Sequence, residues 1–231
     1  MKKTGISILY FIIGVICIVL QNQPSFYPGF FSKVMIIPVL IIFFLLNLRL
    51  SLNRLHILMF AGLIFSWAGD VILEFSGTNA NAFVIGLVCF LFAHLMYFTV
   101  FLLTPGKNAV IGKGRWLLIP VAIYGIILII ILYGDLAEMK LPVIVYAVVI
   151  LAMLSGAINR KEKVNLLSYY LVLGGAILFV ISDSSIAISK FSYKFPHSGA
   201  VIMSTYIAAQ YLIITGYIAQ RDNAVKDQVS L

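Results

Sequence analysis

Residues 165–189 read NLLSYYLVLGGAILFVISDSSIAIS, an apolar stretch that carries one acidic residue, Asp183, near its end. A helix needs roughly 20 apolar residues to cross the hydrocarbon core of a bilayer, and this stretch meets that length. Its apolar residues run continuously instead of alternating with polar ones, which is not the pattern of a membrane β-barrel strand. The stretch therefore predicts a transmembrane helix.

Seven further stretches of the same kind occupy most of the remaining chain. Eight spans of ~20 residues use about 160 residues, so only short loops remain and a separate soluble domain has no room. The sequence thus predicts an all-α fold, a polytopic eight-transmembrane-helix bundle that forms a single domain over residues 1–231. The other predicted helices lie near residues 4–20, 33–50, 55–75, 82–104, 115–133, 141–159 and 198–220.

The composition favours a membrane protein and excludes several other classes. Hydrophobic residues make up 62% of the 231 residues and charged residues only 10%, whereas a soluble domain carries about 25% charged residues. Too few polar side chains remain to cover a globule in water, which excludes a cytosolic protein, a disordered chain and a nucleic-acid binder. The net charge of +8 comes from basic side chains in the loops between apolar stretches.

The basic residues also predict the orientation of the chain. With a cytoplasmic N-terminus, 12 of the 16 lysines and arginines fall in cytoplasmic segments, which is the positive-inside pattern and places both termini in the cytoplasm. The apolar stretch after Met1-Lys2-Lys3 has no small-residue cleavage site, so the first helix is predicted to stay uncleaved. The Met-Lys-Lys start itself is typical of bacterial proteins, which predicts a bacterial cytoplasmic membrane. The basic residues on the outer side are Lys33, Lys140, Lys190 and Lys194.

Two acidic residues, Asp70 and Asp183, lie inside the apolar stretches. An ionised carboxylate in hydrocarbon costs several kcal/mol, which makes an intramembrane acid a functional candidate. The helical rise places Asp70 about 22 Å and Asp183 about 27 Å from the cytoplasmic ends of their helices. This matched depth predicts one shared cavity that opens towards the outer face, with the two carboxyl groups within ~10 Å of each other. The alternative is that each acid is a separate hydrogen-bond partner between helices.

Small and polar residues accompany both acids in the sequence. Ser66, Asp70 and Glu74 follow one another at intervals of four residues and share one face of the third helix. Ser182 directly precedes Asp183 in the seventh helix. Because small residues let transmembrane helices approach closely, helix packing is the alternative role for the serines.

Four further polar side chains stand on two other helices. His94 and Tyr97 share a face of the fourth helix, and Tyr206 and Gln210 share a face of the eighth. His94 is predicted to lie ~18 Å below the outer end of its helix, at the deeper end of the cavity. Interhelical hydrogen bonding or packing is the alternative for each of them.

Metal and nucleotide chemistry is not predicted. A zinc hydrolase needs at least three protein ligands, and His56 and His197 are predicted at opposite sides of the membrane, away from His94. The chain has no GxSxG nucleophile motif, P-loop or GxGxxG motif. We therefore expect neither a metal nor an organic cofactor.

Four segments taken together resemble the YhhN family of membrane proteins. They are Phe65–Leu73, Phe92–Tyr97, Gly175–Asp183 and Thr205–Gln210, and they occur in the family's order. The resemblance implies a lysoplasmalogenase, which cleaves the vinyl ether bond of a lysoplasmalogen to a fatty aldehyde and a glycerophospho-base. It implies that Asp70 and Asp183 are catalytic. The residues predicted to contact the substrate are Ser66, Glu74, His94, Tyr97, Ser182, Lys190, Tyr206 and Gln210.

The chemistry of vinyl ether hydrolysis suits a pair of acids. Protonation of the β-carbon leaves an oxocarbenium ion, so the enzyme needs one neutral carboxylic acid and one carboxylate, as glycosidases do. The family often reads Ala-Leu-Asn-Arg-Phe after the second aspartate, where this chain has Ala187-Ile188-Ser189-Lys190-Phe191. Lys190 keeps the positive charge without the arginine fork. Lys33 or Lys190 is predicted to hold the head group near the outer surface.

A transporter is the alternative to an enzyme. The same two buried acids could relay protons in a proton-coupled transporter or act in a lipid-binding membrane protein. In either case the expected partners are lipids, namely a lysophospholipid and the surrounding membrane lipids. Neither a nucleic acid nor an obligate protein partner is expected.

Overall fold

The computed structural model describes residues 2–20, 26–48, 53–106 and 115–229, and within these ranges the chain is helical, with no strand. Short 3₁₀ segments at Glu74–Gly77, Arg115–Leu118 and Ala137–Met139 and a π-helical turn at Ile188–Ser192 join or extend the main helices. The α-helices of the described ranges are α1 Lys2–Leu20, α2 Phe26–Asn47, α3 Arg54–Leu73, α4 Ala80–Leu102, α5 Ile119–Leu132, α6 Lys140–Ile158, α7 Leu166–Ala187 and α8 Ser198–Val229.

The predicted all-α membrane architecture is confirmed in its coarser form. In the described ranges, six helices are long and apolar enough to cross a bilayer, namely α2, α3, α4, α6, α7 and α8. The remaining apolar helical segments, Thr4–Leu20 and Trp116–Leu132, are shorter. The chain is therefore a multi-pass membrane protein, while the count of eight spans and the cytoplasmic position of both termini stay predictions.

Two helix boundaries differ from those predicted. Helix α2 begins at Phe26 instead of residue 33, because Pro28 falls in its first turn, where the missing N–H of proline costs no helical hydrogen bond. Helix α8 continues to Val229, beyond the predicted end at residue 220. The other helices start and end within a few residues of the predicted bounds.

Helices α7 and α8 form a close pair at the centre of the bundle. A Cβ atom on Gly175 would lie 2.8 Å from the carbonyl oxygen of Ala209, and one on Gly216 would lie 2.9 Å from the backbone nitrogen of Val172. Only glycine permits the two backbones to approach this closely, as is typical of transmembrane helix pairs. Helices α3 and α4 form a second pair, and α6 contacts both pairs through α4 and α7.

The outer helices are attached to this centre to different degrees. The hydroxyl of Tyr10 in α1 donates to the carbonyl oxygen of Ile207 at 2.9 Å, and the hydroxyl of Tyr211 donates to Ser7 at 2.9 Å. Helix α1 is thereby tied to α8. Helix α5 packs mainly on α6, and its other face carries exposed apolar side chains such as Ile130. Helix α5 is therefore a peripheral helix.

Arg160 holds the predicted cytoplasmic end of the bundle together. It is completely buried in the loop after α6, and its guanidinium donates to Ser168 Oγ at 3.0 Å and to Gln220 Oε1 at 2.8 Å. It also lies over the ring of Phe101, 5.5 Å from the ring centroid. Burial lowers the pKa of Arg160 to about 10, which leaves it charged at neutral pH. The loop between α6 and α7 is thus anchored to α8.

We expect Arg160→Ala to destabilise the fold. The substitution leaves the buried Ser168 Oγ without its donor, at a cost of about 1–3 kcal/mol, and also removes the donor to the partly buried Gln220. Thermal unfolding of the purified protein in detergent should show a lower midpoint than wild type. Lys161→Ala, at the exposed neighbouring position, is the matched control and should unfold as wild type does. Equal midpoints for both variants would contradict the anchoring role.

Candidate active site

Asp70 lies on α3 beneath a chain of hydrogen bonds from two other helices. Its side chain is buried, with 2% of the residue exposed, and its Oδ2 atom accepts from the Tyr206 hydroxyl at 2.6 Å. Gln210 Nε2 donates to the same hydroxyl at 3.3 Å, and the Tyr97 hydroxyl donates to Gln210 Oε1 at 2.9 Å. Four residues predicted from the sequence therefore form one continuous network that joins α3, α4 and α8.

The network follows from helical spacing. Tyr206 and Gln210 are one turn apart on α8, so their side chains point to the same neighbouring helices. Ser66, one turn before Asp70 on α3, is completely buried beside Tyr97. The shared face predicted for Ser66 and Asp70 thus lies against α4 and α8.

Asp183 has a different set of partners. The hydroxyl of Tyr146 in α6 donates to its Oδ2 atom, and Nε2 of His94 in α4 lies 3.6 Å from the same oxygen. Nδ1 of His94 lies 2.6 Å from the carbonyl oxygen of Phe90. Because a carbonyl only accepts, Nδ1 carries the ring proton, and Nε2 of a neutral His94 is a bare acceptor that faces Asp183. An acid and a base therefore face each other here, with 3.6 Å between the two atoms.

Aromatic rings connect the two groups of polar residues. The ring of Phe179 lies 4.6 Å from the ring of His94 and 5.5 Å from the ring of Tyr206, measured between centroids. The ring of Phe90 lies 5.9 Å from that of Tyr206. His94, the partner of Asp183, and Tyr206, the partner of Asp70, therefore both pack on Phe179.

Two cavities meet at Asp183. The first lies between α3, α4, α6 and α7 and the second between α5, α6 and α7. Their remaining walls are almost entirely apolar. The residues that line both cavities are Val143, Tyr146, Asp183 and Ala187. A carboxyl group at the junction of two apolar spaces is well placed to act on a polar bond within a lipid.

The sequence predicted one cavity that contains both acids, but these two cavities contain only Asp183. Asp70, Tyr206, Gln210 and His94 are absent from the linings of both cavities. The reason is that Tyr206 covers Asp70, whereas the side chain of Asp183 keeps 9% of its surface exposed. The structure thus brings each acid to its own partners and directs Asp183 towards the cavities.

Lys33 and Lys190, the two cations predicted to hold a head group, differ in their partners and in their distance from the cavities. Lys33 is buried and forms an ion pair with Glu74, with Nζ 2.6 Å from Oε1. Nζ of Lys190 lies 4.9 Å from the centroid of the Phe83 ring, and Phe83 lines the first cavity. Lys190 is therefore the cation that stands beside a cavity, while Lys33 neutralises Glu74.

Ser182 contributes to helix packing. Its hydroxyl donates to the carbonyl oxygen of Ile202 at 3.0 Å, which adds a contact between α7 and α8. This was the alternative considered for the serines beside the acids. Within the described ranges, His, Cys, Asp and Glu side chains do not come together in groups of three or more that could hold a metal ion.

Sequence reasoning missed Tyr146. Between Lys140 and Ser155 the sequence is apolar except for this one hydroxyl group. A buried hydroxyl in hydrocarbon needs a partner, so a lone tyrosine in such a stretch is a signal for a polar contact with another helix. The partner itself, Asp183 on α7, was not apparent from the position of Tyr146 along the chain.

Comparison with known proteins gives one family and several relatives. The sequence model of the YhhN family matches residues 29–217. "Lysoplasmalogenase TMEM86A" from Bos taurus is 31% identical over 171 residues, which cover 71% of this chain and 66% of that protein. The Homo sapiens TMEM86A is 30% identical over 170 residues, with the same two coverages. "Lysoplasmalogenase TMEM86B" from Homo sapiens is 32% identical over 148 residues, which cover 57% of this chain and 52% of that protein.

The match therefore spans slightly less than two thirds of the length of the TMEM86A relatives. No solved structure gives a significant match to this chain.

Proposed function

Because the chain belongs to the YhhN family, we propose that it is a lysoplasmalogenase. It would hydrolyse the vinyl ether bond of a lysoplasmalogen to a fatty aldehyde and glycerophosphoethanolamine or glycerophosphocholine. The observation that carries the proposal is the position of Asp183. Its carboxyl group lies where two apolar cavities meet, in a chain about 31% identical to a protein named lysoplasmalogenase.

Asp183 is the proton donor in this proposal. In its neutral form it is the less costly species to bury in an apolar space, and Tyr146 orients the carboxyl group through its hydroxyl. The O–H bond of Asp183 breaks as a C–H bond forms at the β-carbon of the vinyl ether from the π electron pair. The α-carbon becomes an oxocarbenium ion, and the new carboxylate of Asp183 stabilises it.

Water completes the reaction. Its oxygen adds to the α-carbon, and its proton passes to the Asp183 carboxylate or to Nε2 of His94, the bare acceptor 3.6 Å from that carboxylate. The bond from the α-carbon to the glycerol oxygen of the hemiacetal then breaks. The glycerol oxygen receives a proton from the Asp183 carboxyl group, and the hydroxyl of the hemiacetal gives its proton back to the Asp183 carboxylate as the C=O bond of the aldehyde forms. The products are an aldehyde and an alcohol, and no other reactant is consumed.

Asp70 supports the site indirectly in this proposal. Its carboxylate would add negative charge near the site and hold the Tyr206–Gln210–Tyr97 network in place. The Tyr206 ring packs on Phe179, which in turn packs on His94. Asp70 is therefore a positioning residue for His94 and Asp183 in this proposal, not a group that touches the substrate.

The direct test is aldehyde release by the purified protein. Folded protein in detergent or proteoliposomes should release a fatty aldehyde from alkenyl-lysophosphatidylethanolamine or its choline analogue. It should release none from the saturated alkyl ether, which has no carbon–carbon double bond to protonate. Absence of aldehyde from both alkenyl substrates would refute the function. Solute movement driven by a pH gradient in proteoliposomes would then support the transporter alternative.

Tyr146→Phe tests how Asp183 is oriented. The variant keeps the ring but removes the hydroxyl that donates to Asp183. Asp183 becomes a carboxylate as it gives up its proton, and a hydrogen bond to a charged group contributes about 1.5–3 kcal/mol. We therefore expect kcat to fall about tenfold to a hundredfold with little change in KM. Tyr170→Phe removes a hydroxyl from an exposed position on α7 and serves as the control. Unchanged kcat in Tyr146→Phe would show that the contact does not contribute.

A further inference from the structure

The second cavity has no role in the chemistry beyond its Asp183 end. Apart from Tyr146 at the Asp183 end, the hydroxyl groups in its lining belong to Tyr124 and Ser184, and these two are hydrogen-bonded to each other at 2.7 Å. The rest of its lining is aliphatic, with Leu128, Ile150 and Leu151 among its residues. A space whose polar groups are already paired favours an apolar occupant.

The two cavities overlap at Asp183, and each extends to residues that the other does not reach. The first reaches Phe83 and Phe191 at the end of the bundle where Lys190 lies. The second reaches Ile150 and Leu151, two turns further along α6 from the shared residue Val143. The reactive bond of a lysoplasmalogen likewise separates a phosphate-bearing head from a hydrocarbon chain. Lys190 makes the first cavity suitable for the head group, and the second cavity is then available for the hydrocarbon chain.

One face of α6 lines the second cavity with side chains of different size. Val143, Ala147 and Leu151 stand four residues apart and line the cavity in that order from the Asp183 junction. Leu151 also packs against α5, because a Cβ atom on Gly125 would lie 2.3 Å from its Cδ1 atom. Ala147 leaves the middle of the cavity open, and Leu151 narrows its far end.

We propose that the second cavity binds the alkenyl chain of the substrate, and that Ala147 and Leu151 set the chain length that the enzyme accepts. This inference depends on the proposed lysoplasmalogenase activity and deepens it, since it assigns the hydrocarbon chain to a site. Each methylene buried in such a cavity contributes about fourfold in affinity. Discrimination between neighbouring chain lengths in an apolar pocket reaches about ten- to 200-fold.

Ala147→Phe should fill the second cavity one turn from Val143, beside the junction. We expect kcat/KM for hexadecenyl-lysophosphatidylethanolamine to fall at least about tenfold, while a butenyl analogue with the same head group is cleaved at close to the wild-type rate. Val148→Phe is the matched control, because it adds the same ring at the next residue, which is 62% exposed. Its ratio of long-chain to short-chain kcat/KM should equal that of wild type.

Leu151→Ala provides the opposite change. It enlarges the far end of the cavity, so kcat/KM for an eicosenyl substrate should rise relative to that for the hexadecenyl substrate by about threefold or more. Competition by saturated alkyl-lysophosphatidylethanolamines of the same lengths gives a readout independent of turnover. Long-chain competitors should bind more weakly than to wild type in Ala147→Phe and relatively more tightly in Leu151→Ala.

The outcomes separate the two proposals. If wild-type protein cleaves no alkenyl substrate, the lysoplasmalogenase assignment fails. If wild type is active but Leu151→Ala leaves the chain-length ratio unchanged, the chain does not occupy this cavity, and an ordinary membrane lipid fills it. That result overturns the inference even where Ala147→Phe fails to fold.

Discussion

Asp183→Asn is expected to abolish aldehyde release, with kcat lowered by at least about a hundredfold, because general acid catalysis contributes at least that much. The amide has nearly the same shape as the carboxyl group but cannot donate an acidic proton to the β-carbon. It can still accept a hydrogen bond from Tyr146 in place of the carboxylate oxygen. The measurement is aldehyde formation from alkenyl-lysophosphatidylethanolamine under saturating substrate.

The control for this variant is Asp135→Asn. Asp135 is an exposed acid in the loop after α5, so the same chemical change there should leave kcat unaffected. Thermal unfolding should show that Asp183→Asn is folded, because an amide is cheaper to bury than a charge. Retention of more than about a tenth of the wild-type rate would show that Asp183 is not the general acid.

Asp70→Asn is expected to lower kcat by about a hundredfold, since small displacements transmitted to reacting groups can cost that much. The amide weakens the acceptor for the Tyr206 hydroxyl, which lies 2.6 Å from Oδ2, and loosens the network that packs on Phe179. The effect should appear in kcat with little change in KM, because Asp70 does not line the cavities that adjoin Asp183.

A double-mutant cycle separates this role from direct catalysis. Tyr206→Phe should lower kcat less than Asp70→Asn does, and the double variant should be no slower than Asp70→Asn alone, since both changes break one interaction. Conversely, losses that multiply in the double variant would mean that Asp70 and Tyr206 act independently. Asp70 would then not work through Tyr206.

Much of the candidate site was predictable from single residues. Asp70 and Asp183 stood out because charged groups are rare in hydrocarbon, and that cost holds whatever the neighbouring helices are. Tyr206 and Gln210 could be placed on one face because the helical period alone determines which side chains align. Glu74 could be named as a polar residue above Asp70, but its ion pair with Lys33 of α2 depends on which helix lies beside α3.

The amino-acid sequence by itself determined the helices and the two intramembrane acids. Apolar length and the cost of buried charge are local properties, and they need no knowledge of the fold. The tertiary structure alone decided the partners, namely Tyr206 for Asp70 and Tyr146 with His94 for Asp183, and the direction of Asp183 towards two cavities. The physical reason is that apolar side chains surround most of helices such as α6 and α7, so no amphipathic face indicates which neighbour each one meets.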